Sequence, residues 1–561
     1  MKHLLSVFFA LAPVMLFAQS VNAPLNSDYY HQIDRYEIKS GRIYPGFFSA
    51  WKPYQRKHIA AFADSLKRSD IQWSATDRFN INYLSNDNWE WADSLNNESR
   101  KPFLKHFYKV KSDLYHVNTE DFDLHVNPVL YLGGGRETAN NVKTFINTRG
   151  VEVRGMIDRK LGFYSFIGEN QVIFPQYTRR YIFSGNKVVP HEGFWKDFKD
   201  NGVDFFTARG YISFAATKHV NLQFGHDQFK VGNGYRSMIL SDFAPAFLFL
   251  KMQTQVWKIN YTNLFTEMTA DIFTSGNTLI GSGGYPKKYM ALHHLGINIG
   301  KKLNVGVFES VIYSNADSLS DGHIELKYLN PIIFYRAVEQ QNGSSDNVLL
   351  GMDFKWLAAR KISFYGQLVL DEFLLENIRE GDGWWANKYS VQLGGEYIDA
   401  FGIDNLDLQL EGNLSRPYTY SHGDVYNSYS HYRQPLAHPL GANFTEIVAL
   451  ARYQPTGRLS LSGKLIFASY GTDSTGVNYG GNILKSNTTR EMDYGNEIGQ
   501  GIGNDLLFAD LTASYQWKHN FFIDVKHIFR KLDSDVPSLN QKTNYTSVAL
   551  RWNIPQRLNE F

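Results

Sequence analysis

The sequence predicts an all-β protein: a transmembrane antiparallel β-barrel of about 16–18 strands with a small helical N-terminal region on the periplasmic side. Three observations predict it. From Phe103 onward, segment after segment alternates apolar and polar side chains with the period of two that a strand needs when its faces meet different solvents. No segment beyond the N-terminal apolar run offers the ~20 consecutive apolar residues of a spanning helix. Aromatic residues make up 15% of the chain, with 34 Tyr and 40 Phe, and Tyr and Trp suit the boundary between lipid and water. A mean hydropathy of −0.34 does not oppose the assignment, because lipid-facing and lumen-facing residues alternate within each strand.

The first residues, MKHLLSVFFALAPVMLFAQS, place Lys2 and His3 before an apolar run with a small residue at Ala18. Residues 1–18 read as a secretory signal peptide, so the mature chain is exported. There is no cysteine, which removes disulfides, thiolate metal sites and cysteine nucleophiles. A formal charge of +2 argues against a nucleic-acid partner.

Residues 19–100 read as a periplasmic N-terminal region. Within it Ile59, Phe62, Ala63 and Leu66 recur at helical spacing behind Pro53, predicting one amphipathic helix from about Pro53 to Lys67. A polar connection through Asn86, Asp87 and Asn88 follows. Residues 101–561 read as the barrel. Hairpins are expected at Asp158–Lys160 and at Lys301–Lys302. In LLFADLTASYQWK, Leu507, Leu511, Tyr515 and Trp517 share one face and Asp510, Thr512 and Ser514 the other. In NLDLQLEGNL, Leu406, Leu408 and Leu410 oppose Asp407, Gln409 and Glu411. Polar faces of this kind, turned inward, imply a lumen of water and paired charges, since a dry core would require every such group to be paired; turned outward, they describe a sandwich instead. The last strand, TNYTSVALRWNI, turns Val548 and Leu550 outward and is expected to pair with the first.

The stretch from Leu222 to Phe273 departs from a simple hairpin. Two alternating strands flank GNGYRSMILSDFAPAFLFL, a connection too long and too apolar for a surface turn. Gly232, Gly234 and Pro245 predict a folded-in loop carrying Tyr235, Arg236, Ser237 and Asp242. Gly225, Asp227, Gly232, Gly234, Tyr235, Ser237 and Pro245 together resemble the capsule assembly protein Wzi family, with its G-x-D strand, G-x-G-Y-x-S turn and proline-containing apolar run. Arg236 and SDFAPAFLFLK also resemble RemB-type gliding motility proteins. A second stretch, YLNPIIFYRAVEQQNGSSDNVLLGMDFKW, is similar to the same family in its Asn330-Pro331, its Arg336 and its Asp346-Asn347. There Arg336 and Glu339 read as an internal ion pair, with ligand contact as the alternative.

A third segment, Arg416 to Ile447, is long, rich in Tyr, and carries His422, His431 and His438. It reads as a loop folded over or into the lumen, either a glycan surface or a packing plug. The separations of its histidines fit no tight metal-binding spacing. His226, Asp227 and Ser237 invite a catalytic reading, but adjacent strand residues point to opposite faces. Gly133–Gly135 lacks a following Lys-Ser or Lys-Thr and reads as a turn rather than a phosphate cradle.

The resemblance implies a non-enzymatic, lectin-like role in binding or organising surface capsular polysaccharide at the cell outer membrane, with no cofactor, metal or catalytic residue. Asp227, Arg236, Arg336, Glu339 and Tyr432 are the candidate glycan or lumen contacts. Surface polysaccharide, outer-membrane lipid and other envelope proteins are the candidate partners. A RemB-like gliding component and a solute channel are the alternatives.

Overall fold

The computed structural model describes residues 19–93, 97–138, 141–270, 286–314, 323–332, 346–372 and 375–561. The expected signal peptide therefore lies outside the described residues. So do Arg336 and Glu339.

Eighteen antiparallel strands close into one barrel. In chain order they are β1 Phe122–Glu137, β2 Val142–Ile157, β3 Leu161–Ile173, β4 Gly202–Ala215, β5 Val220–Asp227, β6 Phe247–Val256, β7 Ile259–Thr269, β8 Lys287–Ile299 and β9 Leu303–Tyr313. They continue as β10 Asn347–Ala359, β11 Ile362–Glu372, β12 Lys388–Tyr397, β13 Leu406–Ser415, β14 Phe444–Thr456, β15 Leu459–Thr472, β16 Ile502–Lys518, β17 Phe521–Ser534 and β18 Gln541–Trp552. Each pairs with its sequence neighbour, and β18 pairs with β1 through Val548↔Gly134 and Leu550↔Leu132, so no edge is left open. The expected closure of last strand on first is present.

Gly133–Gly135 lies inside β1 at that seam, not in a turn. A Cβ on Gly133 would sit 2.8 Å from the Ala549 Cβ, and one on Gly135 would sit 2.5 Å from the Thr546 carbonyl oxygen. The triplet lets β18 approach, a requirement set by a strand distant in sequence that local turn chemistry cannot reveal.

Side chains sort as the alternation predicts. Leu511 is 63% exposed on the outside of β16 while Asp510 and Thr512 are buried on its inside, and Leu410 is 60% exposed while Gln409 and Glu411 are buried. Phe206, Phe224, Leu393, Leu465, Phe467 and Val548 extend this apolar outer face around the wall. Such a belt is stable only against acyl chains. No described helix is long and apolar enough to cross a membrane; the strands form the crossing.

The interior is less wet than expected. Phe247 and Phe249 of β6, Leu264 of β7, Leu292 of β8 and Phe308 of β9 turn inward and are fully buried. They cover Met238, Ile239 and Leu240 of a loop inside the lumen, so on this side the wall is apolar on both faces. Elsewhere the lumen carries paired charges, for example Lys355 with Asp34 at 2.9 Å and Glu37 at 2.7 Å.

The two barrel ends differ. One carries the short connections 158–160, 216–219, 257–258, 300–302, 360–361, 457–458 and 519–520, including both predicted hairpins. Across it pack three helices, α1 Tyr30–Ser40, α2 Arg56–Lys67 and α3 Ala75–Asp87, around Ile33, Phe47, Tyr54, Phe62 and Leu84. The sequence pattern located α2 alone. In α3 the Ser74 hydroxyl accepts from the Asp77 N–H while the Asp77 carboxylate accepts from the Ser74 N–H, a reciprocal cap that starts the helix. Its polar last turn, Asn86–Asp87, reads in sequence as a connection. Asp87 instead binds Asn520 at 2.7 Å and His519 at 3.1 Å of the β16–β17 turn. α1 is fastened by Arg35, which pairs with Asp399 and Asp407. The other barrel end carries the longer connections, among them 174–201, 228–246, 416–443 and 473–501, and the described stretch 375–387.

Candidate functional site

Three pieces of chain fill the lumen: the β5–β6 connection, the β13–β14 connection and the segment after β18. The first turns inward directly after Asp227. Lys230 and Val231 form a two-residue ladder with Lys52 and Trp51 of the N-terminal region. The loop then presses against the wall of β11–β13, and its two glycines are required there. Gly232 has φ +127, and a Cβ on it would lie 2.2 Å from Gln367 Nε2; one on Gly234 would lie 2.4 Å from Gln392 Oε1 and 2.6 Å from Glu411 Oε2.

Glu411 receives the turn. It accepts the N–H groups of Tyr235 at 2.6 Å and Arg236 at 3.0 Å, the Tyr365 hydroxyl at 2.9 Å and the Asn413 amide at 2.9 Å. Arg236 then crosses to β14, where Nη2 meets Glu446 Oε1 at 2.9 Å and the Glu560 carbonyl at 2.8 Å. His438 Nε2 shares the same carboxylate at 2.8 Å. Glu560 also accepts from the Tyr235 hydroxyl at 2.5 Å and pairs with Lys464 of β15. Burial opposes ionisation of Arg236, but the Glu446 and Glu560 carboxylates outweigh it and hold the guanidinium firmly charged. Burial pushes the His438 imidazole below its ordinary value against the pull of Glu446.

The second connection closes over the first. Tyr420 and Tyr429, stacked with ring centroids 5.6 Å apart, donate their hydroxyls to the carbonyls of Met238 and Ile239, each at 2.7 Å. The Ser241 N–H reaches the Leu436 carbonyl at 2.8 Å. Of the segment expected to fold over or into the lumen, residues 416–443 enter it and their inner half packs as a plug, while Phe444–Ile447 belong to the wall strand β14. His431 accepts from the Thr269 N–H at 3.0 Å and lies 3.1 Å from the Ala246 carbonyl, while His422 accepts from the Asp424 N–H. The three histidines are thus used separately, and no group of three or more His, Asp or Glu among the described residues is arranged to hold a metal ion.

The remaining candidates are dispersed. Asp227 ends β5 and accepts from the Gln228 N–H at 2.8 Å. Tyr432 sits at the top of the plug, edge-on to Phe194 at 5.2 Å. His226 faces the Ala208 carbonyl and Ser237 donates to the Val231 carbonyl, so His226, Asp227 and Ser237 do not assemble. Asn347, from the second family-like stretch, opens β10 and donates to the Asn427 carbonyl at 3.0 Å.

Sequence reasoning missed an aromatic surface at the long-loop end. Segments 375–387 and 473–501 are laced together by Trp385 N–H to the Asp493 carbonyl at 2.8 Å and Gly495 N–H to the Asp382 carbonyl at 2.8 Å. They present Trp384 and Trp385, both half-buried, with ring centroids 6.3 Å apart. The Arg490 guanidinium lies 4.1 Å over the Trp385 ring, and Tyr494 is exposed nearby in sequence. The signal was present as Gly-Asp-Gly-Trp-Trp at 381–385, a paired tryptophan outside any strand pattern.

No protein-family model and no curated protein matches the chain. Among solved structures it is similar to Wzi of Escherichia coli, described as an outer membrane protein involved in group 1 capsule assembly and a carbohydrate-binding β-barrel; the TM-score is 0.57 at 14% identity, covering 96% of this chain and 100% of that one. OprD of Pseudomonas aeruginosa aligns with a TM-score of 0.41 at 11% identity over 76% of this chain and 94% of its own. OccAB1 of Acinetobacter baumannii gives 0.41 at 9% identity over 77% and 96%. The fold is that of an outer-membrane β-barrel. The apolar belt and the closed ring of strands place the protein in the cell outer membrane.

Proposed function

We propose that the protein binds surface polysaccharide through the loops of its outer end and performs no chemical conversion on it. The observation that carries this reading is the combination of a lumen occupied by the chain's own segments with a Trp384–Trp385–Arg490 surface on the long-loop end. Indole faces stack on the C–H faces of sugar rings, and a guanidinium with neighbouring amides and carboxylates supplies donors and acceptors for hydroxyls. The Wzi barrel, described as carbohydrate-binding, supports the same direction. In this orientation the helical region 19–100 faces the periplasm, since short turns mark that side of such barrels.

The test is a binding assay of the detergent-purified protein against polysaccharides extracted from its own cell surface. Saturable binding is expected, with Trp384→Ala/Trp385→Ala reducing affinity at least tenfold; base stacking on aromatic side chains, at about 1–3 kcal/mol per ring, is the nearest measured guide. Absence of binding to every such polysaccharide refutes the proposal.

A further inference from the structure

A cavity of about 340 Å³ lies on the short-turn side of the plug, away from the outer loops. It is bounded by α1, by the plug at Asn233–Tyr235, and by the inner faces of β12–β16 down to the turns at Asn405 and Gly457–Arg458. Its size falls within the ~300–1,000 Å³ of small-molecule sites.

The charges around it are balanced, five carboxylates against five cationic side chains. Most are already committed: Arg35 to Asp407, Lys230 to Asp242 at 3.2 Å, and Lys52 to Asp34 at 3.6 Å. Three groups stand apart. Asn233 is 7% exposed, and neither its amide oxygen nor its nitrogen has a hydrogen-bond partner among the described residues. Glu396 is 8% exposed and makes no ion pair among the described residues, its one hydrogen bond being from the Ser363 hydroxyl at 3.4 Å. Arg452 donates to the Gln409 amide at 2.9 Å and pairs with no carboxylate among the described residues. A buried polar group without partners is costly, so the Asn233 amide, beside a carboxylate and a half-buried guanidinium that each lack an ion partner among the described residues, describes a ligand that supplies both donors and acceptors.

Net charge selects among such ligands. An ionic guest would meet no excess of opposite charge to offset its desolvation, whereas a neutral polyhydroxylated one satisfies all three groups without leaving a charge unpaired. Tyr30 and Phe522 add ring surface to the same walls, suited to the C–H face of a pyranose. We infer that this cavity is a saccharide site for a neutral mono- or disaccharide unit, held by Asn233, Glu396 and Arg452. The inference rests on the polysaccharide-binding reading and extends it to a second, inner subsite on the opposite side of the plug.

The test is isothermal titration of the full chain, in a detergent without sugar headgroups, with neutral mono- and disaccharides from a hydrolysate of the cell's own surface polysaccharide. Two variants address the cavity. Glu396→Gln removes the free carboxylate. Ser462→Trp fills the space from an exposed position whose hydroxyl makes no hydrogen bond among the described residues, and heat-modifiable gel migration confirms the barrel. Expected are binding by the parent chain and loss of roughly tenfold or more in both variants. Ser462→Trp binding as the parent overturns the site. So does preferential binding of a zwitterionic amino acid, or failure of every mono- and disaccharide while intact polysaccharide still binds, an outcome that leaves the outer-loop proposal standing.

Discussion

Replacing Arg236 with Ala tests whether the plug is held by its ion pairs. The substitution removes the cation between Glu446 and Glu560 and leaves Glu446 buried with only His438 and the Asn413 amide beside it. Breaking a buried pair by deleting one partner costs about 3–5 kcal/mol, because the surviving charge keeps its desolvation penalty. Converted at about 1.4 kcal/mol per decade, that shifts the balance between seated and released plug by roughly 10²–10⁴. Planar-bilayer recording of the parent chain is expected to show a closed barrel, and Arg236→Ala to add discrete open events along with a new trypsin cut after Lys230. Arg236→Ala/Glu446→Gln removes the orphaned charge and is expected to return about half of the loss. Equal conductance and equal proteolysis in parent and single variant refute the reasoning, since the plug would then be seated by its apolar contacts alone.

Three further outcomes follow from the same geometry. Burial depresses the His431 pKa to about 3, so its neutral form is the folded one; its contribution is complete above the ordinary value near 6.5 and declines as pH falls toward 3, at about 1.4 kcal/mol per unit. Conductance is expected to rise between pH 6 and pH 4 and to lose most of that rise in His431→Phe; a pH-independent plug refutes it. Gly232→Val forces a side chain into φ +127 against Gln367 and is expected to cost more than the ~1–3 kcal/mol of backbone strain alone, read as trypsin cleavage after Lys230. Leu511→Arg, near the middle of β16, is expected to lower stability in lipid vesicles by about 2–4 kcal/mol in urea titration, and a change under 1 kcal/mol would place Leu511 outside the acyl layer.

The wall was legible because its physics is local. Alternation at Leu511/Thr512 or Leu410/Glu411 is imposed by two solvents acting on one strand, and it survives in any window of a few residues. The folded-in loop at 232–245 was legible for a related reason: a long apolar connection between two good strands has nowhere to go but inward. What stayed hidden depends on partners distant in sequence. Gly133–Gly135 is glycine because of Ala549 and Thr546, and Phe247 and Phe249 face inward because Met238–Leu240 is there to cover. The polar last turn of α3 was unreadable as helix because its stabilising contacts, His519 and Asn520, belong to the far end of the chain. Arg236 lies in that same loop, but nothing near it in sequence indicates Glu446 or Glu560.

The residues after β18 carry a mechanical consequence. Glu560 and Phe561 sit deep among Arg236, Lys464 and Arg530, inside a ring whose final hydrogen-bonded seam is made by the strand just before them. The same few residues of backbone thus tie the closing seam to the contents of the ring, so a disturbance of the stuffing pulls directly on the rim.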